Sequence, residues 1–139
     1  MINFYSENDF ELENEGLFLK WIEEVIQSEG KKPGEISYIF CDDEYLHKIN
    51  LQYLDHDTYT DIISFDNTMG NLLQGDIFIS TERIAENAKE YNVDFEQELK
   101  RVIIHGVLHF CGYKDKTESE SSLMRQKENE KIKLFHVEQ

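Results

Sequence analysis

The segment from His105 to Asp115 is the feature that most constrains what this chain can fold into. His105 and His109 are four residues apart, so on an α-helix both rings lie on one face and reach the same point. Gly112 can adopt the left-handed conformation that ends a helix and turns the chain. Asp115 then returns toward the two rings. The spacing H-x-x-x-H-x-x-G-x-x-D therefore predicts a metal site whose ligands are His105, His109 and Asp115.

The same spacing, with a third histidine as the last ligand, occurs in one group of zinc proteases. Those enzymes carry their general base, a glutamate, directly after the first histidine, where this chain has Gly106. The run 102–111 is otherwise apolar, which predicts a helix buried on nearly all sides. Buried polar rings need a partner, so a metal explains them better than a chance pairing of two histidines. Cys111 points to the opposite side of this helix from His109 and is expected to be a small buried apolar residue.

Length and composition predict one folded domain over residues 1–139. Hydrophobic residues make up 40% of the chain, enough for a substantial core. No apolar run reaches membrane-spanning length and no charged-then-apolar leader is present, so we expect a cytoplasmic protein that does not contact the membrane. Two cysteines, Cys41 and Cys111, do not form a disulfide framework and fit a reducing compartment.

The charge balance argues against broad, non-specific binding of nucleic acid. There are 14 basic and 29 acidic residues, which gives a net charge of −15. Non-specific binding to phosphates depends on many lysines and arginines, because these replace condensed counterions. An RNA partner would therefore be held by a local basic patch, by a metal or by base stacking.

Residue patterns predict an α+β domain with a small mixed β-sheet of about four strands and about five helices. Strands are expected at 2–5, 36–41, 61–65 and 75–80, and the last two are close enough in sequence to form an antiparallel pair. Helix starts are predicted at Asp42, at Ser80 or Thr81, at Asp94 with Gln97, and at Thr117 with Glu120.

Some polar residues in these patterns are expected to be structural. Asp61 and Asp76 are placed at strand entrances, where an aspartate is more often a turn or cap residue than a catalyst. His47 and His136 have no partners at metal-ligand spacing and are expected on the surface.

Several separated motifs together resemble one known family. They are Asn50, then Thr60-Asp61-Ile62-Ile63-Ser64-Phe65, then Gly75-Asp76-Ile77, then His105-Gly106-Val107-Leu108-His109 with Gly112-Tyr113. In order and approximate spacing, this chain resembles the YbeY family of bacterial endoribonucleases and ribosomal-RNA maturation factors. The resemblance implies a zincin-like single domain with one zinc ion per chain. It also implies a single-strand-specific endoribonuclease that acts in ribosome biogenesis on the 3′ end of small-subunit ribosomal RNA, with that RNA and the small ribosomal subunit as partners.

The chain departs from the family pattern at two positions. The family commonly uses a third histidine as ligand, and here Asp115 takes that role. A carboxylate binds zinc but makes it a weaker Lewis acid. The family also commonly carries an arginine suited to a phosphate where this chain has Leu54. Residues that can substitute as phosphate contacts are Arg101, Lys114 and Lys116.

A metal with three protein ligands keeps a position for water, so the predicted site is hydrolytic. The hypothesis is metal-assisted cleavage of a phosphodiester in single-stranded RNA, with the general base unassigned. Two alternatives remain open. One is a ribosome-assembly protein in which zinc is mainly structural, favoured by Leu54 and the net charge. The other is a zincin-like hydrolase of a substrate other than RNA, for which Gly106 removes the expected base.

Overall fold

The computed structural model describes residues 1–135, which form four strands and five helices, as predicted. His136, expected on the surface, lies outside the described residues. No helix in the described part of the chain is long and apolar enough to cross a bilayer. The elements are β1 (Ile2–Ser6), α1 (Glu15–Ser28), β2 (Lys32–Cys41), α2 (Asp43–Leu54), β3 (Ile62–Asp66), β4 (Leu72–Ser80), α3 (Thr81–Tyr91), α4 (Phe95–Phe110) and α5 (Glu118–Ile132).

The four strands form one mixed sheet in the order β1-β2-β4-β3. β1 and β4 each pair with β2 in parallel, and β3 pairs with β4 in the predicted antiparallel arrangement. β4 begins at Leu72, so Asp76 is an exposed residue in the middle of the strand, opposite Phe65, and its predicted place at a strand entrance is wrong. Asp61 does directly precede β3.

Helices pack on both faces of the sheet. The larger core lies between α1 and α4 and one sheet face, where Tyr38, Ile77 and Ile79 are fully buried. The smaller core lies on the other face, where Leu46 and Ile49 of α2 pack against β3 and β4. Ile77 and Ile79 face the larger core and Phe78 faces the smaller one, because successive side chains of a strand point to opposite faces of the sheet. Helix α4, which carries the two histidines, therefore packs directly on the sheet.

Helix starts follow the predicted capping residues. The side chains of Asp42, Ser80 and Asp94 each accept a hydrogen bond from the backbone N–H three residues on. Ser80, and not Thr81, is therefore the cap of α3. Thr117 and Glu120 form both halves of a capping box at the start of α5. These caps satisfy helix N–H groups that have no partner within the helix.

Gly106 marks the point where α4 comes closest to the sheet. A Cβ atom added there would lie 3.0 Å from Cδ1 of Ile77 and 3.2 Å from Cδ1 of Ile62. These side chains belong to β4 and β3, so the residue faces the sheet and not the two histidine rings. Close approach of helix and sheet therefore explains why a glycine, and not the glutamate of the proteases, follows His105.

We expect Gly106→Ala to destabilise the fold by up to about 2 kcal/mol. Overpacking a close-packed core costs about 1–3 kcal/mol, which exceeds the gain of about 1 kcal/mol from alanine's helix propensity. The matched control is Gly16→Ala in α1, where an added Cβ meets nothing within 4 Å. Urea unfolding measures both variants. A Gly106→Ala protein as stable as the Gly16→Ala protein would contradict the close packing.

Candidate metal centre

The end of α4 turns the chain so that Asp115 returns toward the helix. The N–H of Gly112 donates to the carbonyl of His109 at 3.0 Å, and the N–H of Tyr113 donates to the carbonyl of Leu108 at 3.1 Å. This pair of hydrogen bonds is a Schellman motif, which requires a left-handed residue directly after the C-cap. Gly112 has φ +105° and provides it. The predicted glycine turn is therefore present.

The three predicted ligands meet at one point. The Nε2 atoms of His105 and His109 are 3.0 Å apart. Oδ2 of Asp115 lies 3.1 Å from Nε2 of His105 and 3.2 Å from Nε2 of His109. Among the described residues, this trio is the group whose ligand atoms converge closely enough to hold a metal ion.

Hydrogen bonds to the other ring nitrogens orient both histidines. Nδ1 of His109 lies 2.9 Å from the carbonyl oxygen of Tyr113, which can only accept, so this nitrogen carries the proton. Nδ1 of His105 lies 2.6 Å from Oε2 of Glu128 and donates to that carboxylate. With both Nδ1 atoms as donors, each neutral ring presents an Nε2 lone pair to the shared point.

The donor set fits a zinc ion. Two nitrogen lone pairs and a carboxylate oxygen are all acceptors, and three acceptors in mutual contact repel one another unless a cation or a proton lies between them. Ligands about 2.0–2.1 Å from a tetrahedral zinc lie roughly 3.3–3.4 Å from each other, a few tenths of an ångström more than the distances here. His105, His109 and Asp115 keep 21%, 29% and 38% of their side-chain surface exposed, so the site is open to solvent on one side.

Glu128 is the site residue that the sequence patterns missed. It lies on α5 with only 5% of its side chain exposed, bonds His105 through one oxygen and pairs with Nη1 of Arg101 at 3.0 Å through the other. The sequence did not single out Glu128, because α5 contains four glutamates and none of them lies at a spacing typical of metal ligands. A buried carboxylate behind a ligand histidine fixes the ring and increases its basicity.

The pKa of His105 shows the effect of these neighbours. Burial disfavours the charged ring, but the hydrogen bond and charge of Glu128, with the charges of Asp115 and Asp61, outweigh it, and the pKa is raised above its ordinary value. A proton and a metal ion therefore compete for the same nitrogen.

A second network holds the loop that orients His109. The hydroxyl of Tyr113 donates to Glu29 at 2.7 Å, and Lys131 of α5 pairs with the same carboxylate at 2.8 Å. Burial opposes ionisation of Glu29, but the bonds from Lys131 and Tyr113 prevail, and its pKa is lowered. The indole N–H of Trp21 donates to the carbonyl of Lys131 at 2.8 Å. Helix α5, which supplies no ligand, is thus connected to the surroundings of both histidines.

A cleft of about 260 Å³ opens beside His105 between α3, α4 and α5. Asp61 lies on its wall, where Asn87 donates to it at 3.4 Å and burial raises its pKa. Of the predicted phosphate contacts, Arg101 lines the cleft, whereas Lys114 and Lys116 are exposed beside Asp115 and do not line it. Arg125, which sequence reasoning missed, lines it as well.

Comparison with known proteins identifies the family. A family model described as Endoribonuclease YbeY matches residues 2–136. A relative from Christiangramia forsetii named Endoribonuclease YbeY is 71% identical over 99% of this chain and 96% of its own length. One from Flavobacterium johnsoniae with the same name is 64% identical over the whole of both chains. The chain belongs to the YbeY family. The resemblance inferred from the motifs is confirmed.

A solved structure agrees with the fold. The solution structure of a Thermotoga maritima protein superposes with a TM-score of 0.69 at 27% identity, covering 97% of this chain and 89% of that one. The predicted α+β class with a mixed sheet is therefore confirmed. Membership of the YbeY family makes the chain one of a family of endoribonucleases, that is, nucleases that hydrolyse RNA.

The position of the arginine common in the YbeY family is occupied by Leu54 at the end of α2. Leu54 is 40% exposed and does not line the cleft. His47, predicted on the surface, is instead half-buried: it bonds Asp57 at 2.8 Å and stacks on Tyr59. Cys111, predicted to be buried, packs against the larger core but is only partly buried, and both cysteines are free.

We expect Glu128→Gln to lower zinc affinity about 10–100-fold, the usual cost of losing a partner behind a metal-bound histidine. Glutamine keeps an acceptor for His105 but removes the charge. Competition with a chromogenic chelator measures the affinity. The control is Glu130→Gln on the exposed side of the same helix, where the partner is Lys127. Equal affinities in the two variants would show that the charge of Glu128 does not act on the site.

We also expect stabilisation by zinc to depend on pH. Because the pKa of His105 is raised, its protonated ring stabilises the metal-free fold below the ordinary value of 6.5, and this contribution is lost as pH rises through the raised pKa. Zinc needs the deprotonated ring, so the increase in Tm caused by zinc should grow as pH rises through this interval. Differential scanning fluorimetry with and without zinc tests this. A constant increase at every pH would rule it out.

Proposed function

We propose that this protein is a metal-dependent endoribonuclease that binds one zinc ion through His105, His109 and Asp115 and cleaves single-stranded RNA. The observation that carries the proposal is the convergence of three acceptors, with both histidine Nδ1 atoms already committed as donors. Such an arrangement favours a cation over any neutral ligand. The family name supplies the substrate, because the relatives are called endoribonucleases.

Zinc bound here would supply Lewis-acid activation of water and of a phosphate oxygen. The open side of the site supports a catalytic ion, since structural zinc sites are closed by four protein ligands. Glu128 holds His105 in place, and the carbonyl of Tyr113 holds His109. Gly106 faces the sheet, so no carboxylate stands where the zinc proteases carry their base, which argues against peptide hydrolysis.

Two arginines offer local contacts to RNA phosphates despite the net charge of −15. Arg101 and Arg125, two of the three arginines in the chain, line the cleft beside His105. Arg125 keeps 56% of its side chain exposed, whereas Arg101 is held by Glu128 and Asn129. We assign Arg125, with Arg101, Lys114 and Lys116, to contacts with RNA phosphates, in place of the arginine that Leu54 replaces.

We further propose that the substrate is precursor ribosomal RNA at the 3′ end of the small-subunit RNA, that the small ribosomal subunit is the partner, and that the protein works in the cytoplasm in ribosome biogenesis. The support is the family resemblance. The alternative is a ribosome-assembly protein with a structural zinc, which the acidic surface and Leu54 favour. The two differ in whether the purified, zinc-loaded protein cuts RNA.

We expect the purified zinc-loaded protein to cut a single-stranded RNA corresponding to the precursor 3′ end, and His109→Ala to lose both zinc and cleavage. Loss of a ligand should also lower stability, because the ligands meet only in the folded state. The matched control is His56→Ala, an exposed histidine in the loop after α2. Measurements are zinc content by atomic emission and cleavage on denaturing gels.

Each outcome of this experiment separates the candidates. Cleavage by the parent and by His56→Ala, with none by His109→Ala, supports the endoribonuclease. Full zinc content with intact RNA, together with co-sedimentation with small ribosomal subunits, would instead favour the assembly protein. Zinc content unchanged in His109→Ala would overturn the proposed ligand set.

A further inference from the structure

The cleft beside the metal centre extends well beyond the ligands. Glu98 and His105 both line it from α4, and they are seven residues apart. Seven residues are two helical turns, or about 10 Å along the axis. This length is comparable with the distance from a phosphate to the far edge of the base that its nucleotide carries. The cleft is also lined by residues of α3 and α5.

Glu98 is a largely buried residue whose carboxylate has no partner among residues 1–135. The residue is only 4% exposed and its side chain lines the cleft. Within residues 1–135, no hydrogen bond or ion pair at contact distance reaches its carboxylate. Burial raises its pKa, although the nearby charge of Arg101 acts in the opposite direction. The residue is largely buried, and its carboxylate oxygens reach the open cleft, where they can accept from a donor that the protein itself does not supply.

The chemistry of the cleft narrows what that donor can be. A phosphate is disfavoured as the partner of Glu98 itself, because two anions repel each other; the phosphate contacts assigned to Arg101 and Arg125 in the same cleft involve other groups of the RNA. A second metal ion is disfavoured, since the converging ligand group among residues 1–135 is the His105 trio and does not include Glu98. At about 30 Å³ per water, the cleft of about 260 Å³ holds several waters, which a ligand can displace. A neutral group with N–H donors fits the chemistry beside Glu98.

The other walls are suited to a flat ring. Tyr91, the last residue of α3, lines the cleft with 54% of its surface exposed. Asn87, one turn before it, adds an amide. Proteins read single-stranded RNA by stacking unpaired bases on aromatic side chains and by hydrogen bonding to their edges. An exposed tyrosine at the rim and an unpaired acceptor within the cleft supply both elements.

We propose that this cleft binds the base of one nucleotide flanking the cleaved phosphodiester, with Tyr91 stacking on the ring and Glu98 accepting a hydrogen bond from an amino group of the base. The inference rests on the proposed function and adds a specificity to it. Cytosine, adenine and guanine carry an exocyclic amino group, and uracil does not. Uracil instead presents two carbonyl oxygens around its single N–H, and these repel a carboxylate. The site therefore selects against uracil.

Cleavage mapping tests this selectivity. The substrates are end-labelled all-uridine oligonucleotides in which one nucleotide is replaced by cytidine, adenosine or guanosine. The parent should cut at a fixed register from the replaced nucleotide about tenfold faster than elsewhere, the scale of one good base contact. Glu98→Gln should flatten this preference, and Glu96→Gln, an exposed glutamate on the same helix, should keep it. A parent that cuts all positions equally would overturn the inference.

Binding to the metal-free protein gives a readout independent of cleavage. Fluorescence anisotropy with the same oligonucleotides should show weaker binding of all-uridine RNA by the parent, and no such difference for Glu98→Gln. Tyr91→Ala should weaken binding of every oligonucleotide about tenfold or more, because stacking tolerates all bases. A base preference in binding without cleavage would refute the proposed function and keep this inference. Cleavage without a base preference in either assay would support the proposed function and refute this inference.

Stability separates a binding role of Glu98 from a structural one. An unpaired buried carboxylate costs folding free energy when ionised, so Glu98→Gln should have a Tm equal to or above that of the parent at neutral pH. Residues that serve a ligand and not the fold show this behaviour. A Tm several degrees lower in Glu98→Gln than in Glu96→Gln would mark the residue as structural and overturn the assignment.

Discussion

The geometry of the candidate metal centre depends on two hydrogen bonds, in which Nδ1 of His105 and Nδ1 of His109 are the donors. Once these protons bond Glu128 and the carbonyl of Tyr113, both Nε2 lone pairs face Asp115. Three acceptors at 3.0–3.2 Å leave room for little except a cation or a shared proton. Much of the remaining architecture keeps this arrangement in place. The sheet supports α4 at Gly106, and α5 carries Glu128 to the back of His105.

Helix α5 links this site to the rest of the fold. It is one of the more polar helices, yet Glu128 and Lys131 are both buried. The ammonium group of Lys131 pairs with Glu29, and Glu29 accepts a hydrogen bond from the hydroxyl of Tyr113. The backbone carbonyl of Lys131 accepts a hydrogen bond from the indole N–H of Trp21. Buried charges of this kind are costly unless they are paired, and here they are paired with groups that orient the metal ligands. Docking of α5 and preorganisation of the site are thus a single structural event.

The acidic surface and an RNA substrate are compatible because the contacts with RNA are local. A net charge of −15 weakens long-range attraction to phosphates. The cleft nevertheless gathers two arginines, an exposed tyrosine and a largely buried glutamate beside the proposed metal site. In the proposed function, such a surface would hold RNA by metal, stacking and a few charged contacts, and it would favour selection among bases over tight general binding.

The elements, most of the helix caps, the glycine turn and the convergence of His105, His109 and Asp115 could be predicted from sequence, because helix and strand periods and four-residue spacing act over short stretches of chain. The sequence also placed the chain in its family through motifs distributed along the chain. Tertiary structure alone decided the rest. Glu128 and Arg125 join the site only because α5 packs beside α4, Glu98 lines a cleft only because α3 and α5 form its other walls, and Asp76 lies within a strand because β4 extends to pair with β2. These residues are distant from the histidines in sequence or lack a recognisable spacing, so only the packing of elements brings their charges together.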